Sequence, residues 1–240
     1  MTRRGAGGLA AVGAGPLGWC VVLGGLIGGD PMLAIEIGGV GLAVLWALLI
    51  VRDLIDSHRL ASLLAVDGRD IQLFGVPCCV TPSLGTDALV VGSVRPRIFV
   101  GVPLVAALAD DELRAVIYHE DHHRRTRAPM RAAALGAWLR LLGRSQVVRE
   151  VVLDRLVDLE ALADADAIRR GSSAQSLARA LLKGDRSLQP ASLSYAADRR
   201  VERLLDRAAG ARPSPTGRLP YEWLPLVVLT IVTLGCHAGL

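Results

Sequence analysis

The chain has 240 residues, of which 52% are hydrophobic, and its formal net charge is +4. Its mean hydropathy of +0.42 is too high for an ordinary soluble enzyme and indicates membrane spans. Charges of both signs are interspersed after residue 52 without a basic stripe, so the composition does not favour direct binding of nucleic acid.

Two apolar stretches predict a transmembrane hairpin over residues 1–52. Residues 5–29 carry no charge and residues 31–51 carry only Glu36, so each stretch is long enough to span a bilayer. Glu36 lies about one helical turn from the start of its stretch, which suits the headgroup level. A signal peptide is the alternative for the first stretch, but the second stretch follows almost at once, which favours the hairpin.

A third span is predicted at residues 221–240, where Tyr221 and Trp223 suit a membrane interface. The arginines next to the three spans are Arg3, Arg4, Arg52, Arg59, Arg212 and Arg218. The positive-inside rule then places the N-terminus and residues 53–220 in the cytoplasm and the C-terminus outside. We therefore expect a multi-pass protein of the cell (plasma) membrane, with one folded domain between the hairpin and the last span.

Four cysteines indicate a reducing setting rather than a disulfide framework. Cys20 and Cys236 lie in apolar stretches. Cys78 and Cys79 are adjacent, which suits neither a disulfide with each other nor the C-x-x-C spacing of a metal site. We expect all four to be small buried hydrophobic residues.

Short β-rich segments open the predicted domain. Residues 67–70 predict a turn, residues 71–76 a strand, residues 81–87 a loop, and residues 88–91 and 98–100 two further strands. A strand beside a metal-binding helix would be the place to hold an extended peptide at the sheet edge. The alternative is a small packed sheet without that role.

Helical periodicity predicts the rest of the domain. The acidic residues 110–112 are typical of a first helical turn. Residues 129–143 predict an interfacial or re-entrant helix, and residues 146–170 predict a long amphipathic helix. Residues 174–182 and 194–209 predict two shorter helices.

The first of these helices contains the motif H-E-x-x-H. His119 and His123 are four residues apart, so on a helix they lie above one another and can bind one zinc ion. Glu120 is then placed as the general base that takes a proton from water during peptide hydrolysis. His122 is an alternative ligand, but the pair four residues apart puts the glutamate where a base is needed. The remaining alternative is a solvated polar helix face.

A catalytic zinc site has three protein ligands, and residues 146–170 supply a candidate at Glu160. Its sequence neighbours are apolar, so its carboxylate needs a partner or a metal. Asp164 follows one turn later and can hydrogen-bond a ligand histidine. A solvated acidic face stays open as the alternative, because Asp158 and Asp166 are close by.

Four blocks, in this order, resemble the BlaR/MecR family of membrane zinc metallopeptidases. They are RPRIFV at 95–100, ELRAVIYHEDHHRR at 112–125, E-x-x-x-D at 160–164 and RVERLL at 200–205. The match covers about residues 80–206. Related membrane gluzincins, the HtpX-like and CAAX-prenyl proteases, share the combination of H-E-x-x-H and E-x-x-x-D.

The resemblance implies an integral membrane protein, mainly α, in which the hairpin and the C-terminal transmembrane helix surround a gluzincin-like α+β zinc peptidase domain with a small sheet. It implies one Zn²⁺ ion bound by His119, His123 and Glu160, with Glu120 as general base and Asp164 supporting a ligand. The implied partners are the lipid bilayer and a peptide or protein substrate. A DNA-binding repressor is a candidate substrate, because members of this family cut one or trigger its cutting.

The sequence departs from the family in two places. The family's sensor members carry an extracellular penicillin-binding domain after the last span, and this sequence stops at Leu240, so we do not expect antibiotic sensing through such a domain. The motif interior is Asp121-His122, where small or apolar residues are commoner. Two other functions stay open: a non-catalytic membrane adaptor that keeps a metal-stapled peptidase fold, and a membrane scaffold without metal.

Overall fold

The computed structural model describes residues 31–92 and 95–183. The chain divides into two compact units, Met1–Leu48 with Trp223–Leu240, and Leu49–Glu222. The predicted span at 5–29, the predicted helix at 194–209 and the predicted span at 221–240 lie outside the described residues.

The apolar segment after residue 30 forms one long helix, α1 (Pro31–Ala65). Among the described residues it is the one helix long and apolar enough to cross a membrane, over Ile37–Ala65. Its apolar side chains are widely exposed, as Val40 (52%) and Leu48 (59%) show, which suits contact with lipid better than contact with water. The helix continues past the predicted end at residue 51, because no glycine or proline interrupts it before Ala65.

Four strands form one mixed sheet in the order β1-β2-β4-β3. The strands are β1 (Arg69–Leu73), β2 (Val76–Thr81), β3 (Ala88–Val91) and β4 (Arg97–Gly101). β2 and β4 are parallel, and the other two neighbouring pairs are antiparallel, so β1 and β3 are the edge strands. The predicted strands at 88–91 and 98–100 are confirmed.

The predicted single strand at residues 71–76 is wrong, because a hairpin turn interrupts it. Phe74 (φ 52°) and Gly75 (φ 79°) both have left-handed backbone conformation and join β1 to β2. A two-residue hairpin turn of this kind needs positive φ at both positions, and Asn-Gly is its usual sequence signal. Because phenylalanine stands in the first position here, the sequence lacks the Asn-Gly signal that would predict the turn. The Arg114 guanidinium lies 5.1 Å from the centre of the Phe74 ring and helps to hold it.

Five helices follow the sheet in the part of the chain that the structure describes. They are α2 (Val102–Ala107), α3 (Asp110–Thr126), α4 (Ala128–Leu142), α5 (Gln146–Arg169) and α6 (Ala174–Lys183). The sequence predicts α3, α4, α5 and α6 almost to their ends, but not the short α2. Arg127, with φ 52°, separates α3 from α4. The described part of the chain is therefore a mixed α+β structure with a small sheet.

Helix α3, which carries the H-E-x-x-H motif, packs on one face of the sheet. Leu113 and Ile117 of α3 belong to the same buried cluster as Ile98 of β4. The next residue of β4, Phe99, points to the opposite face, where it is buried in a cluster with Leu64 of α1. Apolar contacts thus fix α3 from the sheet side and leave its other face to α5.

The start of α3 is tied to α6 by one buried carboxylate. Glu112 accepts a hydrogen bond from the Ala109 backbone N–H (3.0 Å), which caps the helix. The same carboxylate binds Lys183 Nζ (2.7 Å) and Arg179 Nε (3.0 Å) of α6. The hydrogen bond from Lys183 lowers the pKa of Glu112, although burial acts in the opposite direction.

Candidate metal centre

The two motif histidines meet on one face of α3. His119 and His123 are four residues apart, and their Nε2 atoms lie 3.0 Å from each other. The ring centres are 4.6 Å apart with the planes at 82°. Helical spacing alone therefore brings two nitrogen donors to a common point.

Helix α5 adds a carboxylate to this point. Glu160 Oε2 lies 3.3 Å from His119 Nε2, and Glu160 Oε1 lies 3.3 Å from His123 Nε2. The three candidate ligand atoms lie within 4.8 Å of one another. The structure thus brings together the three side chains predicted as ligands, in a group that could hold a metal ion. We call His119, His123, Glu160 and the supporting Asp164 the metal group.

Asp164 lies one helical turn after Glu160 and faces His119. Its Oδ1 is 2.8 Å from His119 Nδ1, and its side chain is only 4% exposed. At this distance Nδ1–H donates to the carboxylate, which leaves the lone pair of Nε2 directed at the other members of the group. Asp164 therefore makes the contact with His119 that its predicted supporting role requires.

The donor set of the metal group fits a catalytic zinc ion. Two imidazole nitrogens and one carboxylate oxygen are a known ligand set of catalytic zinc sites. His123 Nδ1 is buried and has no hydrogen-bond partner among the described residues, so this ring is not oriented through Nδ1 as the ring of His119 is. Other divalent metals accept the same donors, so the arrangement could hold a metal ion but does not identify which one.

Glu120 follows His119 on α3, and its charge acts on a cysteine of the sheet. Burial, and after it the charge of Asp121, raises the pKa of Cys78 on β2 to about 11. The negative charge of Glu120 makes a smaller contribution in the same direction. Cys78 and its neighbour Cys79 are both free and buried, as predicted. A thiol with such a pKa stays protonated near neutral pH and is a packing residue here.

The two unusual residues of the motif interior point away from the metal group. Asp121 accepts hydrogen bonds from Arg124 (2.9 and 2.7 Å) and from Arg170 (2.8 Å). His122 Nδ1 lies 3.5 Å from Asp166 Oδ2 of α5. Burial lowers the pKa of His122, although Asp166 acts in the opposite direction. The predicted alternative of His122 as a ligand is therefore not favoured.

Asp121 and Asp166 are the centre of a second polar group, which sequence reasoning missed. We call it the arginine cluster, and its members are Asp121, Asp166, Arg124, Arg125, Arg169 and Arg170. Its contacts are reciprocal, because Arg125 of α3 binds Asp166 and Arg170, directly after α5, binds Asp121. The sequence did carry a signal, since D-x-x-R-R occurs at residues 121–125 and again at 166–170.

The arginines hold both carboxylates of the arginine cluster in the charged state. Burial raises the pKa of Asp121, but the hydrogen bonds and charges of Arg124 and Arg170 outweigh it and lower the pKa. The pKa of Asp166 is lowered in the same way, because Arg169 and Arg125 outweigh the burial. The ring of Tyr118 lies 3.9 Å below the Arg170 guanidinium. The ends of α3 and α5 are therefore joined by permanent ion pairs.

A cavity opens on the sheet beside the end of α3. Its volume is about 540 Å³. It is lined by Asp70, Ile71, Gln72, Pro77, Cys78, Cys79, Pro96, Arg97, Ile98 and Arg124. Ile71 of the edge strand β1 is 41% exposed there, so the cavity offers an apolar floor next to the helix that carries the histidines.

Comparisons with models of protein families, with curated proteins and with solved structures give no match for this chain. The resemblance to the BlaR/MecR family therefore rests on the four sequence blocks alone and stays a hypothesis. What the structure adds is independent of any family, namely the convergence of two imidazoles and one carboxylate from two helices.

Proposed function

We propose that this protein is a membrane-bound zinc-dependent endopeptidase, of the type that the BlaR/MecR resemblance implies. The observation that carries the proposal is the metal group, in which the ligand atoms of His119, His123 and Glu160 lie within 4.8 Å of one another. The order of the residues along α3, with Glu120 directly after the first histidine, is that of the H-E-x-x-H motif of zinc metallopeptidases. The long apolar helix α1 supports attachment to a membrane.

Each residue of the site has a separate task in this mechanism. A zinc ion held by His119, His123 and Glu160 would supply Lewis-acid chemistry and would lower the pKa of a bound water to about 7. Glu120 takes a proton from the attacking water and passes it to the leaving amine. Asp164 fixes the ring of His119 through the 2.8 Å contact with Nδ1 and so keeps Nε2 available as a ligand.

The sheet offers a place for an extended substrate. β3 is an edge strand and pairs with β4 on one side. Among residues 31–92 and 95–183, no strand pairs with its other side. An extended peptide can add to such an edge through its backbone groups. The substrate in this proposal is a peptide or protein segment, and a DNA-binding repressor remains a candidate.

The experiment uses the full chain in nanodiscs with metal analysis and a peptide-cleavage assay. We expect about one zinc ion per chain in the wild type and in Glu120→Gln, because the ligands are unchanged. Cleavage should fall about 10²- to 10⁴-fold in Glu120→Gln, since that is the contribution of a general base. Glu150→Gln, at an exposed position near the start of α5, is the matched control and should cut like the wild type.

Two outcomes would end the proposal. One is a wild-type protein without metal, and the other is a Glu120→Gln variant that cuts as fast as the wild type. If the wild type binds metal, cuts nothing, and loses stability in His119→Ala, the non-catalytic adaptor becomes the better description.

A further inference from the structure

The connection between α4 and α5 exposes apolar side chains that the fold does not use. We call residues 140–151, which comprise the end of α4, the turn and the start of α5, the α4–α5 tip. Val148 packs with the buried Val152 against α4. Val147 and Val151 lie on the other side of α5 and are 70% and 51% exposed. A helix on a water-facing surface would carry polar residues at those two positions.

The same tip is positively charged. Arg140 is 45% exposed, and Arg144 and Arg149 are also exposed. Glu150 is the only acidic residue within the tip. Exposed apolar residues bordered by arginines are the composition of a surface that lies in the interface of an anionic membrane.

An ion pair joins the tip to Asp53, near the end of the uncharged part of α1. Arg140 NH2 hydrogen-bonds Asp53 Oδ2. In the sequence, Arg52 and Asp53 are the first charged residues after the uncharged residues 37–51. If α1 spans the membrane, these first charges lie in the headgroup layer. The ion pair then brings the end of α4, and the turn that follows it, to the same layer.

We propose that the α4–α5 tip is a membrane-binding surface whose partner is the anionic leaflet on the cytoplasmic side. Val147 and Val151 enter the boundary between headgroups and acyl chains, and Arg140, Arg144 and Arg149 contact lipid phosphates. The membrane-binding inference rests on the proposed function only in taking α1 as a membrane span, and the substrate class derived from it below rests on the proposed peptidase activity as well.

The tip also limits the height of the metal group above the membrane. Val151 precedes Glu160 by nine residues on α5, so the two are about 14 Å apart along the helix axis, which is the greatest height that α5 allows between them. A site anchored at that distance reaches peptide segments close to the leaflet surface. The substrate class is therefore the membrane-proximal, cytoplasmic segment of a protein.

The test is a quenching measurement on the full chain in nanodiscs with anionic lipid, in a background in which Cys20 and Cys236 are replaced by serine. A bimane label is placed at Val147→Cys, and the matched control is Val66→Cys. Val66 is also an exposed valine (84%), but it lies 13 residues beyond Asp53, about 20 Å further along the chain direction of α1. Background labelling of the buried Cys78 and Cys79 is measured in the parent protein. A label at Leu45→Cys reports whether α1 itself lies in lipid.

We expect iodide in the water to quench the label at 147 about fivefold less than the label at 66, and nitroxide-labelled headgroups to quench it correspondingly more. Replacing the anionic lipid by neutral lipid, or introducing Arg140→Gln, should increase the quenching of the label at 147 by iodide. Equal quenching at 147 and 66 would overturn the proposal. So would protection from iodide without quenching by nitroxide lipid, since a second copy or another protein would then cover the tip. A label at Leu45 outside lipid would overturn both this proposal and the membrane attachment, whereas failure at 147 alone leaves the peptidase proposal standing.

Discussion

Two polar groups join α3 to α5, and they differ in what balances their carboxylates. In the arginine cluster, Asp121 and Asp166 each contact at least two guanidinium groups. In the metal group, Glu160 and Asp164 contact the imidazoles of His119 and His123 at 2.8 to 3.3 Å. Arginine keeps its positive charge at neutral pH, whereas an imidazole in its neutral form offers a lone pair that can bind a metal ion.

This difference separates a structural group from a group that could hold a metal ion. A buried carboxylate is stable when an opposite charge stays beside it. The arginine cluster supplies that charge from within the chain, so it needs no ligand. The metal group offers two imidazoles and one carboxylate at a common point. A divalent cation bound there would supply the positive charge that balances the carboxylates. The ion pairs of the arginine cluster hold α3 and α5 side by side. This packing brings Glu160 of α5 to the histidines of α3 in the metal group.

The largest effect should come from exchanging one carboxylate in each group for its amide. Glu160→Gln removes a charged ligand, and we expect zinc affinity to fall more than about 100-fold, since loss of a supporting residue alone costs 10- to 100-fold. Asp166→Asn, on the same helix, should leave zinc affinity within about threefold of wild type and instead lower stability. Competition with a fluorescent zinc chelator measures both. Equal losses of affinity would show that the two groups are not separate.

The support of His119 should have a smaller effect. Asp164→Asn keeps the shape of the side chain but loses the charge that orients Nδ1–H, so zinc affinity should fall about 10- to 100-fold. The same chelator competition measures it. Asp158→Asn, at another position on α5, is the control. An unchanged affinity in Asp164→Asn would mean that the 2.8 Å contact does not hold the ligand.

The histidines could be predicted from the sequence because helical spacing is a local property. His119 and His123 share a face wherever α3 lies. Glu160 could not be derived in this way, because its distance from the histidines depends on how α5 packs against α3. From the spacing alone, a solvated acidic face remained an alternative interpretation of Glu160. Only the structure shows that the carboxylate oxygens lie 3.3 Å from Nε2 of each histidine.

The arginine cluster shows the same limit of sequence reasoning. Each D-x-x-R-R segment predicts ion pairs within its own helix, at spacings of three and four residues. The reciprocal pairs between α3 and α5 require the two segments to end side by side, and a local sequence pattern does not predict how two helices pack.

The missed hairpin at Phe74-Gly75 has another cause, since a phenylalanine with positive φ is rare and is not a turn signal. The short α2 was missed although Pro103, near its start, is a helix-start signal.

Loss of one charge in the arginine cluster should destabilise the domain with or without metal. Asp121 is 6% exposed at its side chain and contacts three arginines. We expect Asp121→Asn to lower the free energy of unfolding by about 2 kcal/mol, less than for a fully buried pair because the arginines are partly in water. Denaturant unfolding of the zinc-loaded and the chelator-treated protein measures it. Asp154→Asn, an exposed position on α5, should change little, and a loss confined to the zinc-loaded form would contradict the division into two groups.

The smallest effect should appear at the other end of α3, where Glu112 binds Lys183 and Arg179 of α6. This carboxylate resembles those of the arginine cluster, but it lies seven residues before His119 in the sequence, so its titration is separable from that of the ligands. Its pKa is lowered in the folded protein, chiefly by the Lys183 hydrogen bond. Its contribution to stability is therefore present above the ordinary glutamate pKa of about 4.3 and is lost as the pH falls through the lowered value.

In chelator-treated protein, Glu112→Gln should be less stable than wild type at pH 7, and the difference should shrink below about pH 4. A difference that stays constant down to pH 3 would mean that Glu112 stabilises the domain by its shape and hydrogen bonds rather than by its charge.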